Sequence, residues 1–120
     1  MITLQDVQEA RARIAPYIVR TPLLRVPALD EALGCQVYLK HEGFQTIGAF
    51  KIRGAMNKAL SLTEEERAHG LVCASSGNHA QGVAYAAHLL GCRAKIVTPT
   101  NVNPVKLAGM KKWGGEVELV

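Results

Sequence analysis

Two short stretches hold the residues best suited to chemistry. One is Gly48-Ala49-Phe50-Lys51-Ile52-Arg53-Gly54-Ala55; the other is Ser75-Ser76-Gly77-Asn78-His79. In the first, Ile52, Ala55, Met56, Ala59 and Leu60 recur at helical spacing, so a helix opens here with Lys51 in its first turn. A helix N-terminus carries partial positive charge, and a cation is misplaced there on structural grounds alone. Partial desolvation by Phe50 and Ile52 would leave more of the amine neutral. A neutral amine is the nucleophile that forms a Schiff base with an aldehyde. An ordinary solvated lysine is the competing reading, because a misplaced surface charge costs only about 0.3–1 kcal/mol.

The second stretch follows the apolar run Leu71-Val72-Cys73-Ala74 and precedes a helix. Parallel α/β sheets bind ligands at the carboxyl ends of their strands, where a strand turns into a helix. Free N–H groups at such a helix start can hold a carboxylate or phosphate. Ser75 and Ser76 add hydroxyls, Gly77 lets the backbone come close, and Asn78 offers both a donor and an acceptor. Ser and Asn are also common helix caps, so a plain cap explains the same residues. The turn is not a nucleotide loop, and no acid–histidine pair is placed to activate either serine.

The elements that must position these stretches follow from periodicity and punctuation. Leu4 to Ala15 forms a helix with Leu4, Val7, Ala10 and Ile14 on one face, stopped by Pro16. Tyr17 to Leu24 is an extended connection through Thr21-Pro22. A short helix from Pro27 to Leu33 ends at Gly34, and Gln36 to His41 alternates as a strand. Glu42 to Gly48 is a loop, and the Lys51 helix runs to about Leu60. Thr63 and Glu66 form a capping box. Then come a strand at Leu71–Ala74, a helix of small residues at Ala80–Leu90 able to pack on both sides, and a strand at Ala94–Thr98. Asn103-Pro104 starts a last helix that runs to Trp113, and Glu116–Val120 is a further strand. This alternation predicts an α/β fold, a parallel sheet with helices on both faces.

Composition narrows the function classes. The 120 residues are 48% hydrophobic with charge well mixed, which fits a small globular unit with a core. No apolar run is long enough to span a bilayer, and no signal peptide is visible at the N-terminus. The net charge of +4 comes from scattered Lys and Arg, which argues against a nucleic-acid reader. Cys35, Cys73 and Cys92 are far apart and read as reduced thiols of a cytoplasmic protein. His41, His69, His79 and His88 lack metal-ligand spacing, so no metal site is expected.

Gln45 to Ala55 resembles the cofactor-lysine motif of the fold-type II pyridoxal-phosphate enzymes, and Ser75 to Gly82 resembles their asparagine loop. The branch most similar is the threonine/serine dehydratase and serine racemase group. Thr21-Pro22-Leu23, Tyr38 to Glu42, Pro99, Lys106 and Gly114 to Val117 extend the likeness over nearly the whole chain. The resemblance implies that Lys51 holds pyridoxal 5′-phosphate and then acts as the base at the substrate Cα. It implies that Phe50 packs on the pyridine ring and that Asn78 hydrogen-bonds the ring hydroxyl. Ser75, Ser76, Gly77, Asn78 and His79 would hold the substrate carboxylate, with Ser76 a possible second acid/base. The implied reaction is loss of water from a hydroxy amino acid to give a 2-oxo acid and ammonia. Serine or aspartate racemisation is the alternative within the family, and a silent binding module is the alternative outside it. The partners implied are a small amino acid and, for the full-length enzyme, a second copy, with no nucleic acid or membrane.

The chain departs from the family pattern at Ala49, where serine is usual, and it contains no glycine-rich phosphate loop. The expectation is therefore the N-terminal portion of a longer enzyme. Residues 1–48 would begin a large domain, and residues 49–120 would form most of a small one. Val37, Leu39, Leu23 and Leu24 should then be partly uncovered.

Overall fold

Caps and apolar spacing settle most of the element boundaries in the computed structural model, which describes residues 1–120. In chain order the elements are α1 (Leu4–Ile14), β1 (Leu23–Arg25), α2 (Pro27–Leu33), β2 (Tyr38–Lys40), α3 (Lys51–Ser61) and α4 (Glu64–Ala68). They continue with β3 (Leu71–Ala74), α5 (Asn78–Leu90), β4 (Ala94–Thr98), α6 (Pro104–Lys112) and β5 (Glu116–Leu119). Pro16 lies in a 3-10 turn, Ala15–Tyr17, that ends α1. Thr63 and Glu66 close the expected capping box. Asn103 caps α6 by accepting from the Val105 N–H at 2.9 Å, with Pro104 as the first helical residue. No helix is long and apolar enough to cross a membrane.

Strands β3, β4 and β5 form a parallel sheet in that order, with Cys73 opposite Ile96 and Ile96 opposite Val117. Alternation decides the faces. Ala94, Ile96 and Thr98 are buried, and Ile96 packs with Ala80 and Ala84 of α5 and Met110 of α6. The opposite face carries exposed Val72, Lys95 and Glu118. The expected helices thus flank the sheet, and within residues 1–120 they cover this one face. Helix α5 is the centre of the unit. Ala84 meets the sheet, while Tyr85 and Ala86 share a cluster with Ile52, Met56 and Ala59 of α3. Its small side chains let it be buried on both sides, as the sequence suggests.

The first third of the chain differs from expectation in two ways. Leu23 and Leu24 are not merely an extended link: β1 pairs antiparallel with β2, in a two-stranded sheet separate from the parallel one. Asp30 explains the pairing. Its carboxylate takes the Val37 N–H at 2.5 Å and the Arg25 Nε at 2.6 Å, so one side chain of α2 ties the end of β1 to the approach to β2. In α1, only Ile14 of the expected apolar face is buried; Leu4 and Val7 are exposed. Leu23, Leu24 and Leu39 are exposed and Val37 is half-buried, as expected.

Candidate functional site

The start of α3 is built by a turn that needs glycine. The Gly48 N–H donates to the Gln45 carbonyl at 2.7 Å, and Gly48 sits at φ 68°, in the left-handed region. On either side of it Ile47 and Ala49 are buried, so the turn is pinned to the core. Ala49 lies in the apolar cluster with Ile14 and Ile52. Lys51, the first residue of α3, is exposed, with its Nζ 5.0 Å from the centroid of the Phe50 ring. Phe50 is itself exposed. Ile52 does not cover the amine as expected. It is fully buried, because a helix turns successive side chains about 100° apart and Ile52 faces the core.

A polar clasp holds α3 against the preceding loop. Arg53 on α3 donates to both oxygens of Glu42, from Nε at 2.8 Å and from Nη2 at 2.7 Å. Thr21 Oγ1 donates to the same carboxylate at 2.5 Å, and Gln45 Nε2 at 3.3 Å. Gln45 also exchanges two bonds with the Val19 backbone, at 2.9 and 3.1 Å. Thr21 and Gln45 are buried. The Arg53 guanidinium, with these further donors, holds the Glu42 carboxyl well below its ordinary range, at about 2. Glu42 in turn raises Arg53. The sequence offered no direct signal for this network, since its members sit in two separate connections and on α3.

The start of α5 is open. Gly77 is its N-cap residue and supplies no side chain, while Ser75 Oγ accepts from the Gly77 N–H at 3.3 Å. Ser75, Ser76 and Asn78 therefore do not cap the helix, and its first N–H groups are free for a ligand. The helix begins at Asn78, two residues before the expected Ala80. Ser76 and His79 are exposed; Ser75, Gly77 and Asn78 are half-buried. His79 lines a groove of about 250 Å³ with Lys58 and Val72. Asn78 Oδ1 accepts a hydrogen bond from Lys106 Nζ, a partner that periodicity could not reveal.

Gly82 brings the two stretches together. A Cβ there would lie 3.1 Å from Ala55 Cβ and 3.3 Å from the Lys51 carbonyl oxygen. The backbone of Lys51 thus rests on α5 one helical turn from Asn78. An amine, an exposed aromatic face, an amide and an uncapped helix start now share one end of the α3–α5 pair. That set fits the aldehyde, ring and carboxylate ends of a pyridoxal-phosphate–amino-acid pair. It offers nothing for the phosphate. The N–H groups of Gly114 and Gly115 are already given to Lys111 and Met110, at 2.9 and 3.1 Å.

Comparison with known proteins identifies the family. A family profile described as "Pyridoxal-phosphate dependent enzyme" matches residues 14–120. The chain belongs to this family. Among curated pyridoxal-phosphate enzymes it is 46% identical to a serine racemase of Oryza sativa over 114 residues, covering 95% of this chain and 34% of the relative. It is 46% identical to an L-threonine ammonia-lyase of Thermotoga maritima, covering 99% of this chain and 30% of the relative. The structure of maize serine racemase superposes with a TM-score of 0.92 at 44% identity, over 97% of this chain and 35% of that one. The chain thus spans about a third of the length of the relatives it matches.

Proposed function

We propose that the protein carrying this chain is a pyridoxal-phosphate-dependent threonine/serine ammonia-lyase, with residues 1–48 beginning its large domain and residues 49–120 supplying most of its small one. The observation that carries this reading is the seating of Lys51 beside the uncapped start of α5, one turn from Asn78. When bound, pyridoxal phosphate supplies an electron sink conjugated to the substrate Cα. Lys51 would hold the cofactor through its amine and, with that amine free, would serve as the base for the Cα proton. Ser75, Ser76, the close backbone approach at Gly77 and the backbone N–H groups of Asn78 and His79 hold the substrate carboxylate. Asn78 would donate to the ring hydroxyl, and Phe50 would lie against the ring. With the β-hydroxyl leaving as water, the products are a 2-oxo acid and ammonia. The three cysteines are free, in keeping with a cytoplasmic enzyme, and the uncovered apolar residues of β1 and β2 suit a large domain that continues beyond this segment.

One observation favours a second reading. Ser76 is exposed and plays no part in capping. A hydroxyl free to deliver a proton to Cα from the side opposite Lys51 is what racemisation needs.

Borohydride reduction of the full-length protein with pyridoxal phosphate, followed by peptide mapping, tests the main reading. Label on Lys51 is expected; label on Lys40 or Lys58 instead would overturn it. L-Threonine and L-serine should yield 2-oxo acids, and Lys51→Ala should abolish the yield. Accumulation of the D-enantiomer from L-serine, lost in Ser76→Ala, would move the assignment to racemase.

A further inference from the structure

Lys106 is the third residue of α6 and half-buried. A cation in the first turn of a helix opposes the helix dipole, so α6 itself gains nothing from it. No carboxylate pairs with it. Its ammonium instead donates to Asn78 Oδ1, across 28 positions of sequence.

The way α5 and α6 pack fixes this contact. A Cβ at Gly109 would lie 2.2 Å from Gln81 Oε1 and 2.7 Å from Gln81 Cδ, so Gly109 is where the buried Gln81 side chain crosses α6. Gly109 is three residues beyond Lys106, and Gln81 is three beyond Asn78. Residues three apart lie on one face of a helix. The pairs Asn78/Lys106 and Gln81/Gly109 are therefore successive rungs between two helices running the same way, as connections between parallel strands require.

The chemistry of the rung is one-sided. An ammonium has three donors and no acceptor, whereas an amide has one end of each kind. Facing Lys106, Asn78 must turn its carbonyl oxygen inward, which aims Nδ2–H₂ the other way. This is the only hydrogen bond of the Asn78 side chain within the chain. We propose that Lys106 is a positioning residue: it locks the Asn78 amide so that the site presents a donor, never an acceptor, to an oxygen anion of its ligand. The inference rests on the reading of Asn78 as the group that meets the ring hydroxyl. A donor there favours the ionised hydroxyl; a flipped amide would repel it.

The test uses the full-length protein with pyridoxal phosphate and the variants Lys106→Met, Lys106→Arg, Asn78→Ala and the double variant Asn78→Ala/Lys106→Met. Lys106→Met keeps the apolar stem and removes the donor. It is expected to weaken cofactor binding about tenfold, the scale of one charge-assisted hydrogen bond, and to shift the absorption band that reports ionisation of the ring hydroxyl. Lys106→Arg should restore the band and bring affinity back to within about threefold, since it supplies the same one-way donor. In the Asn78→Ala background, Lys106→Met should change affinity less than about twofold, the behaviour of a residue that acts only through its neighbour. Additive losses in the double variant, or a wild-type band and affinity in Lys106→Met, would overturn the positioning role while borohydride still marks Lys51. Failure to mark Lys51 in the unmutated protein would overturn the underlying assignment as well. Circular dichroism of each variant separates loss of the rung from loss of the fold.

Discussion

Residues 1–48 and residues 49–120 are held in place by different physics. In the second region Ile52, Met56, Ile96 and Met110 are fully buried, and α5 is enclosed between α3 and the sheet. In the first, only Ile14, Thr21, Gln45 and Ile47 are buried, while Ile2, Leu4, Leu23, Leu33 and Phe44 lie exposed. Ile14 and Ile47 of the first region reach the cluster around Ile52 and Met56, and the clasp of Glu42, Arg53, Thr21 and Gln45 ties its loop to α3. Apolar burial is non-directional and tolerates small shifts, whereas these hydrogen bonds hold only at one distance and one angle. The region with the larger core carries Lys51 and Asn78. The clasp fixes the loop that leads into Lys51. A precise seat for the amine therefore depends on polar contacts from a region with little core of its own.

The largest effect should come from the core of the second region. Met56→Ala removes a fully buried side chain and should cost about 2–5 kcal/mol. Thermal unfolding should show both regions melting together, because Ile14 and Ile47 of the first pack in the same cluster as Met56. A first region that keeps its hydrogen-exchange protection while α5 loses it would reverse the comparison.

Glu42→Gln comes next and should separate the regions. It leaves Arg53 without its charged partner and should cost about 2–3 kcal/mol. Exchange should rise around residues 18–26 and 36–45 while α5 stays protected. Acid should mimic the substitution. Because folding lowers the Glu42 carboxyl from 4.5 to about 2, its contribution is complete above pH 4.5 and is lost as pH falls toward 2. Equal protection of both regions at pH 2 and at pH 7 would show that the Ile14 and Ile47 contacts hold the first region without the clasp.

The smallest effect belongs to the open face of the sheet. Lys95 and Glu118 pair at 2.7 Å, with about half of each side chain exposed. Glu118→Gln should leave the unfolding midpoint unchanged within error, as exposed pairs commonly do. A clear drop would mean that this face is less solvated than its exposure suggests.

The same contrast separates what could be read in the sequence from what could not. The second region was legible because its signals are local and periodic: the Ile52–Ala59 stripe, the Thr63–Glu66 box, Asn103-Pro104, and the small residues of α5. The Lys51 and Asn78 stretches stood out by residue type and order, and Gly82 supplied the approach that joins them. The antiparallel pairing of β1 with β2 was not legible, since three-residue strands with every side chain exposed show no alternation of burial. Nor were the Glu42–Arg53 and Lys106–Asn78 contacts, which depend on how distant elements settle against each other. Ile52 leaves Lys51 uncovered because neighbours in sequence lie about 100° apart around a helix.

Helix α5 has a further consequence, in the entropy of its side chains. Ala80, Gly82, Ala84, Ala86 and Ala87 have no rotamers to choose among, so enclosing them costs no side-chain freedom. For the same reason they cannot rearrange. A Leu or Met can swing aside to admit a shifted neighbour; a methyl group cannot. The surface on which Lys51 rests therefore has one shape at every temperature where the helix is folded, and α3 has no second way to lie against it.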